Sequence, residues 1–367
     1  MCRVNGLKDL FKMTTEQKTM KAAVLTEVGK PLVIMDNIII PSLCRGQVLV
    51  KIAYAGLCRS QLMEAQGLRG EDRYLPHMLG HEGSGIVVSV GDGVTKVKPK
   101  DEVVLGWIKG EGLEAGGTKY QTSAGQIINA GHVTTFSEYA IISENRVVKK
   151  PKATPMDLAL LYGCAIPTGA GVVLHSIKEQ ASLKPVTIAF FGLGGVGLSA
   201  LMACKSCIFE KIIAVDISQD KLQLAEELGA THTVNAKNED PVKAIHSLTH
   251  GQGVDFSIEA AGLVKTIEQA FLSVKNNGGR CIFISHPAAG HKIQLDPFDL
   301  ICGKHIEATW GGGSRPDIDA PYFDRLYTDG LLPLDKLISK KYTLEGINQA
   351  MQDLESGNIA RALITMG

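Results

Sequence analysis

The feature that most narrows what this chain can fold into is the run Gly192-Leu193-Gly194-Gly195-Val196-Gly197, set between an apolar segment, 186–191, and a helical pattern, 196–207. Strand, glycine turn and helix in that order open a parallel βαβ unit. The glycines let the chain turn sharply and bring its backbone close to a pyrophosphate, which then faces the positive end of the helix. Residues 211–216 read as a second strand, 221–228 as a helix, and 253–258 and 279–284 as further strands. Apolar strands separated by helices predict an α/β, doubly wound parallel sheet of the Rossmann type. Asp216 ends the second strand about 20 residues beyond the turn, where a carboxylate accepts from a ribose hydroxyl pair. It would repel a 2′-phosphate, which predicts NAD rather than NADP. Lys221, in reach of the same ribose, is the residue that argues the other way.

The first part of the chain has another rhythm. From residue 20 to about 150, short apolar runs at 32–34, 38–41, 47–54, 85–90, 102–107 and 137–142 alternate with turn signals. That pattern predicts a β-rich domain closed into a barrel or folded sheet. Residues 1–19 carry no periodicity and are expected to be an N-terminal extension. Helical patterns at 322–329 and 343–357, then a strand at 360–365, are expected to bring the tail back to the first domain. The predicted organisation is 20–165 for the β-rich domain, 166–309 for the dinucleotide-binding domain and 310–367 for the returning tail.

Within the β-rich part, Gly80-His81-Glu82-Gly83-Ser84-Gly85 puts an imidazole and a carboxylate side by side in what reads as a glycine-rich turn. Cys58 lies upstream and Cys164 downstream. Two thiolates and one imidazole are a borderline-soft set that suits zinc, and three protein ligands leave a position open, as a catalytic site requires. Charge excludes other classes: 38 basic and 38 acidic residues cancel, without a long like-charge block, so no nucleic acid or anionic membrane is expected as partner. No apolar run approaches the roughly 20 residues of a membrane helix. With eight scattered cysteines and no signal-peptide pattern, the expected location is cytoplasmic.

From Met20 to the C-terminus the sequence resembles the medium-chain, zinc-dependent alcohol dehydrogenases. Gly80-His81-Glu82, Gly85, Gly91 and Val94 match that family's zinc signature, and the glycine turn followed by Ala214-Val215-Asp216 matches its coenzyme motif. The resemblance implies a GroES-like catalytic domain beside the Rossmann domain, one catalytic zinc, NAD, and hydride transfer from an alcohol, or the reverse. By position in the family motifs, Cys58, His81 and Cys164 are the zinc ligands, and Glu82 is a carboxylate behind the metal. Ser60 matches the hydroxyl that hydrogen-bonds the substrate oxygen and starts a proton relay. Arg59 and Arg361 correspond to pyrophosphate contacts, Thr168 and Val196 to the two sides of the nicotinamide, and Trp107 to an aromatic wall of the substrate pocket. The partner implied is a small alcohol or carbonyl compound, and the assembly a homodimer or homotetramer.

Three departures stand out. The segment from Ile108 to His132 holds no cysteine, so the second, structural zinc of many relatives is expected to be absent. Met63 stands where a relay histidine often follows the serine, so the proton must leave by the ribose hydroxyl and water or by another group. Cysteine rather than glutamate as third ligand favours alcohol dehydrogenases proper over polyol and threonine dehydrogenases. The alternatives are a polyol, sugar or cyclitol dehydrogenase with the same chemistry, for which the polar residues of 109–132 would speak, and a non-catalytic dinucleotide-binding protein. Cys204 and Cys207 read as structural thiols, and His286 follows the strand expected to end beside the nicotinamide.

Overall fold

The computed structural model describes residues 18–367. The expected extension lies outside the described residues up to position 17, and Thr19 already begins the first strand, Thr19–Leu25. This strand joins Val33–Ile39, Lys119–Thr122, Ile127–Asn129 and His77–Met78 in a small closed barrel. A second sheet runs in the order Val147–Lys149, Glu102–Gly106, Glu82–Val90, Gln47–Leu57, Ala362–Thr365, Lys340–Thr343, with Tyr139–Ser143 also pairing to Gln47–Leu57. The C-terminal strand therefore enters the first sheet system directly, Ala362 lying opposite Leu57 in antiparallel register.

The third sheet has six parallel strands in the order His232–Asn235, Phe209–Asp216, Val186–Phe191, Phe256–Glu259, Arg280–Phe283, His305–Ala308. This is the doubly wound order in which a dinucleotide lies across the carboxyl ends of the central strands. Five of the six residues of Val186–Phe191 are buried, because helices cover both faces of a parallel sheet. All eight residues of the helix Ala165–Val172 are buried where it packs between the first domain and the helix Gly195–Ala203. Among the described residues no single helix is long and apolar enough to cross a membrane.

Local readings are corrected in several places. The runs at 32–34 and 38–41 belong to one strand, Val33–Ile39, whose polar middle, Asp36-Asn37, hides its continuity. Glu82 is not in a turn: it is the first residue of the strand Glu82–Val90, fixed by pairing with Gly106. The helix expected over 196–207 gives way to a 3₁₀ turn at Cys204–Ser206. The strands Lys119–Thr122 and Ile127–Asn129 had no apolar run to announce them; Tyr120, Thr122 and Ile128 are their buried residues.

Candidate active site

The three metal-type donors come from three element ends. Cys58 precedes the helix Arg59–Ala65, His81 precedes the strand Glu82–Val90, and Cys164 is the N-cap of Ala165–Val172. Their donor atoms lie within 4.8 Å of one another, and His81 Nε2 is 3.2 Å from Cys164 Sγ. The turn that presents His81 is rigid. Gly80 has φ +95°, and a Cβ there would sit 2.4 Å from Thr135 Oγ1. Its N–H donates to Gln61 Oε1, so the helix that carries Ser60 also holds the histidine turn.

The buried charges explain why this cluster suits a dication. Cys58 and Cys164 share one negative charge: the hydrogen bond from Cys164 holds Cys58 well below the usual thiol range, helped by His81 and Arg361. The same contact, with burial, holds Cys164 well above it. Behind them Glu82 is fully buried, and its carboxyl is raised by burial although Arg361 opposes the rise. Arg361 donates from Nε to Glu82 Oε1 at 2.8 Å, and from Nη2 to the same oxygen. Glu82 Oε2 is buried without a partner among the described residues. Burial alone would lower the Arg361 guanidinium's affinity for its proton, but Glu82 and the two sulfurs outweigh it. Gly56 makes room for this carboxylate, since a Cβ there would lie 1.8 Å from Oε1. Two soft sulfurs and one imidazole nitrogen fit zinc as a donor set, and the carboxylate behind them can balance the metal's charge.

The coenzyme side is built by two helices in close contact. A Cβ on Gly169 would fall 2.1 Å from the Val196 carbonyl oxygen, so glycine lets Ala165–Val172 lie directly against Gly195–Ala203. That contact brings Thr168, whose buried Oγ1 has no partner, to the half-buried Val196. Above Gly194 there is open space, and a Cβ on Gly195 would lie 3.0 Å from Arg361 Nη1. Arg361 thus touches both the metal-side carboxylate and the glycine turn, where sequence reasoning gave it only to the pyrophosphate. Asp216 Oδ2 accepts from Leu193 N at 2.7 Å, and Oδ1 from Ile217 N and Ser218 N. The carboxylate therefore also ties the glycine turn to the next strand. A buried hydroxyl unpartnered among the described residues, open space at Gly194 and a helix start without a side-chain cap fit a dinucleotide.

The other predicted residues are placed as follows. Arg59 is exposed at the first turn of its helix, and the hydroxyl of Ser60 beside it makes no hydrogen bond among the described residues. Met63 is buried on the same helix. Lys221 is half-buried on the helix Gln219–Leu228, after Asp216. His286 is exposed and donates from Nδ1 to the Pro287 carbonyl. Trp107 stands edge-on to Trp310, ring centroids 4.9 Å apart at 83°. Trp310 was not anticipated. Its signal was available: it is one of only two tryptophans and precedes three glycines.

The cysteine-free segment beside the site is held by carboxylates. Glu144 is buried and accepts from Thr95 N, Lys96 N and Leu113 N at 2.6, 2.7 and 2.8 Å. Burial would raise its carboxyl, but these three donors keep it low. Glu114, within 2.8 Å of Lys109 Nζ and 3.5 Å of His132 Nδ1, is lowered to about 2, chiefly by Lys109. Asp317 accepts from Glu111 N and pairs with Lys96, tying the segment to the helix Pro316–Thr328.

Comparison with known proteins agrees with this geometry. The family profile described as "Alcohol dehydrogenase GroES-like domain" matches residues 44–152, and the one described as "Zinc-binding dehydrogenase" matches residues 195–326. The chain is 32% identical to an S-(hydroxymethyl)glutathione dehydrogenase of Paracoccus denitrificans, over 94% of this chain and 99% of the relative. Its fold is similar to the crystal structure of an alcohol dehydrogenase zinc-binding domain protein from Burkholderia ambifaria, with TM-score 0.86 and 33% identity, covering 95% of this chain and 99% of that one. It is also similar to benzyl alcohol dehydrogenase from Acinetobacter calcoaceticus, with TM-score 0.84 and 32% identity, covering 95% and 100%.

Proposed function

Because the chain belongs to the zinc-dependent medium-chain alcohol dehydrogenases, an assignment that its two family domains and its full-length relatives carry, we propose the following division of labour among its residues for NAD-dependent oxidation of an alcohol, and its reverse. Cys58, His81 and Cys164 hold zinc, with Glu82 behind them. When bound, zinc supplies Lewis-acid polarisation of the alcohol oxygen and NAD supplies the hydride acceptor. Ser60, whose hydroxyl has no hydrogen bond among the described residues and which lies on the helix that starts at the Cys58 ligand, takes the hydroxyl proton and passes it to the ribose hydroxyl and water, since Met63 cannot carry it. Thr168 gives its unpartnered hydroxyl to the nicotinamide, and Val196 presses on the ring from the other side. Arg59 and Arg361 neutralise the pyrophosphate, and Asp216 selects the unphosphorylated ribose, Lys221 notwithstanding.

The observation that carries this reading is the convergence of three metal-type donors from separate element ends within 4.8 Å, with Arg361 reaching from Glu82 to Gly195 of the glycine turn. The molecule works as a homodimer or homotetramer in the cytoplasm. Support comes from the outer side of the edge strand His305–Ala308, unpaired among the described residues and flanked by exposed Phe298 and Ile301, and from the free thiols of Cys58, Cys164, Cys204, Cys207, Cys281 and Cys302. The chain divides into 20–165, 166–309 and 310–367, a reading supported by the pairing of the C-terminal strand with Gln47–Leu57. The test is steady-state turnover of primary alcohols with NAD and with NADP, before and after chelation. NAD reduction lost with the metal and restored by zinc supports the reading; tight NAD binding by zinc-loaded protein that oxidises no alcohol overturns it.

A further inference from the structure

We propose that Glu259 is a positioning residue for the nicotinamide half of the coenzyme, an assignment that rests on the dinucleotide reading above. The order of the parallel sheet separates the two halves. Asp216, at the end of Phe209–Asp216, marks the adenosine ribose, and the glycine turn after Val186–Phe191 takes the pyrophosphate. A dinucleotide laid across the carboxyl ends in that direction continues over the next two strands, Phe256–Glu259 and Arg280–Phe283. Glu259 ends the first of these, opposite Phe191 in parallel register. Ile284 N, just past the second, donates to its carbonyl at 2.9 Å. The Glu259 side chain is 0% exposed, while Ala260, Ala261, Gly262 and Ser285 around it are half-buried. A fully buried carboxylate thus lies beneath backbone that is partly open at the carboxyl edge of the sheet.

That carboxylate ties the two strand ends together. Oε1 accepts from Ala261 N at 2.9 Å, Gly262 N at 2.8 Å and Thr266 Oγ1 at 2.7 Å, and Oε2 accepts from Ser285 Oγ. All four donors are neutral, whereas Asp255, just before the same strand, pairs with Lys275. The loop so held also backs the glycine turn. A Cβ on Gly192 would lie 2.7 Å from Ala261 N, one of the nitrogens that Glu259 fixes, and Ala260 N donates to the Phe191 carbonyl at 2.8 Å. Gly262 has φ +76°, and a Cβ there would lie 2.9 Å from the His286 carbonyl oxygen. Without the carboxylate, two N–H groups and the Ser285 hydroxyl lose their acceptor, and the wall between the glycine turn and residues 284–286 loses its common anchor. The adenosine side is held separately, since Asp216 accepts from Leu193, Ile217 and Ser218.

The experiment compares binding of NADH with binding of AMP, which carries only the adenosine half, to zinc-loaded wild type, Glu259→Ala, Glu259→Gln and Ser285→Ala, by calorimetric titration. Glutamine separates position from charge: its oxygen still accepts from the three donors at Oε1, and its amide donates to a Ser285 hydroxyl that reverses its role. The Kd for NADH should rise about tenfold in Glu259→Ala and about threefold in Ser285→Ala, and stay within about twofold of wild type in Glu259→Gln. The Kd for AMP should not change in any of them. Glu259→Ala that binds NADH like wild type, or that loses AMP and NADH in proportion, overturns the proposal, and so does Glu259→Gln as weak as Glu259→Ala. Should Glu259→Ala fail to fold, an unchanged NADH affinity in Ser285→Ala overturns it on its own. Wild type that binds neither NADH nor AMP removes instead the dinucleotide reading beneath it.

Discussion

Glu82 and Glu144 are both buried carboxylates of the first domain, 0% and 1% exposed, yet their surroundings push them in opposite directions. Glu144 receives three backbone N–H groups and stays low, while Glu82 receives one side chain, keeps one oxygen bare and is raised. The difference separates a fastening from a working part. A segment without metal-binding cysteines needs its loops tied, and a carboxylate that satisfies three amides ties them. A carboxylate behind a metal must keep capacity in reserve, because the charge it balances arrives with the metal.

The largest effect is expected from Glu82→Gln. It strands the Arg361 guanidinium in a buried site and should cost about 3 kcal/mol of folding stability, seen in denaturant unfolding. Zinc affinity should fall about 10- to 100-fold in competition with a chelator. Were both to stay at wild-type values, the contrast with Glu144 would be broken. A smaller effect, about 2 kcal/mol of stability, is expected from Glu144→Gln, whose amide can no longer accept from all three N–H groups. Zinc content should remain at the wild-type level there, and its loss would mean that the segment and the metal cradle are one unit.

The smallest effect is the pH dependence of Glu114. Its folded carboxyl is lowered to about 2, so its contribution is complete above the unfolded value, about pH 4.3, and is lost as pH falls toward 2. A screened ion pair of this exposure contributes about 1 kcal/mol. Thermal unfolding of wild type and Glu114→Gln should therefore converge as pH drops from about 4 to about 2, and a gap that persists at the lower end would remove Lys109 as the cause.

The cluster of Cys58, His81 and Cys164 was legible because its chemistry is carried by rare residue types in recognisable motifs, which needed no packing detail to stand out. The coenzyme turn was legible because glycines, a fully apolar strand and Asp216 follow one another along the chain. What could not be read is what depends on contacts distant in sequence. Arg361 meets Glu82 across 279 residues, so its double role appears only when the C-terminal strand pairs with Gln47–Leu57. Glu144 looks like any surface glutamate until three amides from 95–113 close on it. Strands such as Lys119–Thr122 are half polar because only alternate residues face the barrel interior.

The most direct test is the zinc content of the purified protein, by elemental analysis, in wild type and in Cys164→Ser. About one zinc per chain, lost or sharply reduced in the variant, is the predicted result for a single three-donor site. No zinc in the wild type would contradict the assignment of Cys58, His81 and Cys164. Two per chain would contradict the account of a segment held by Glu114 and Glu144 in place of a second metal.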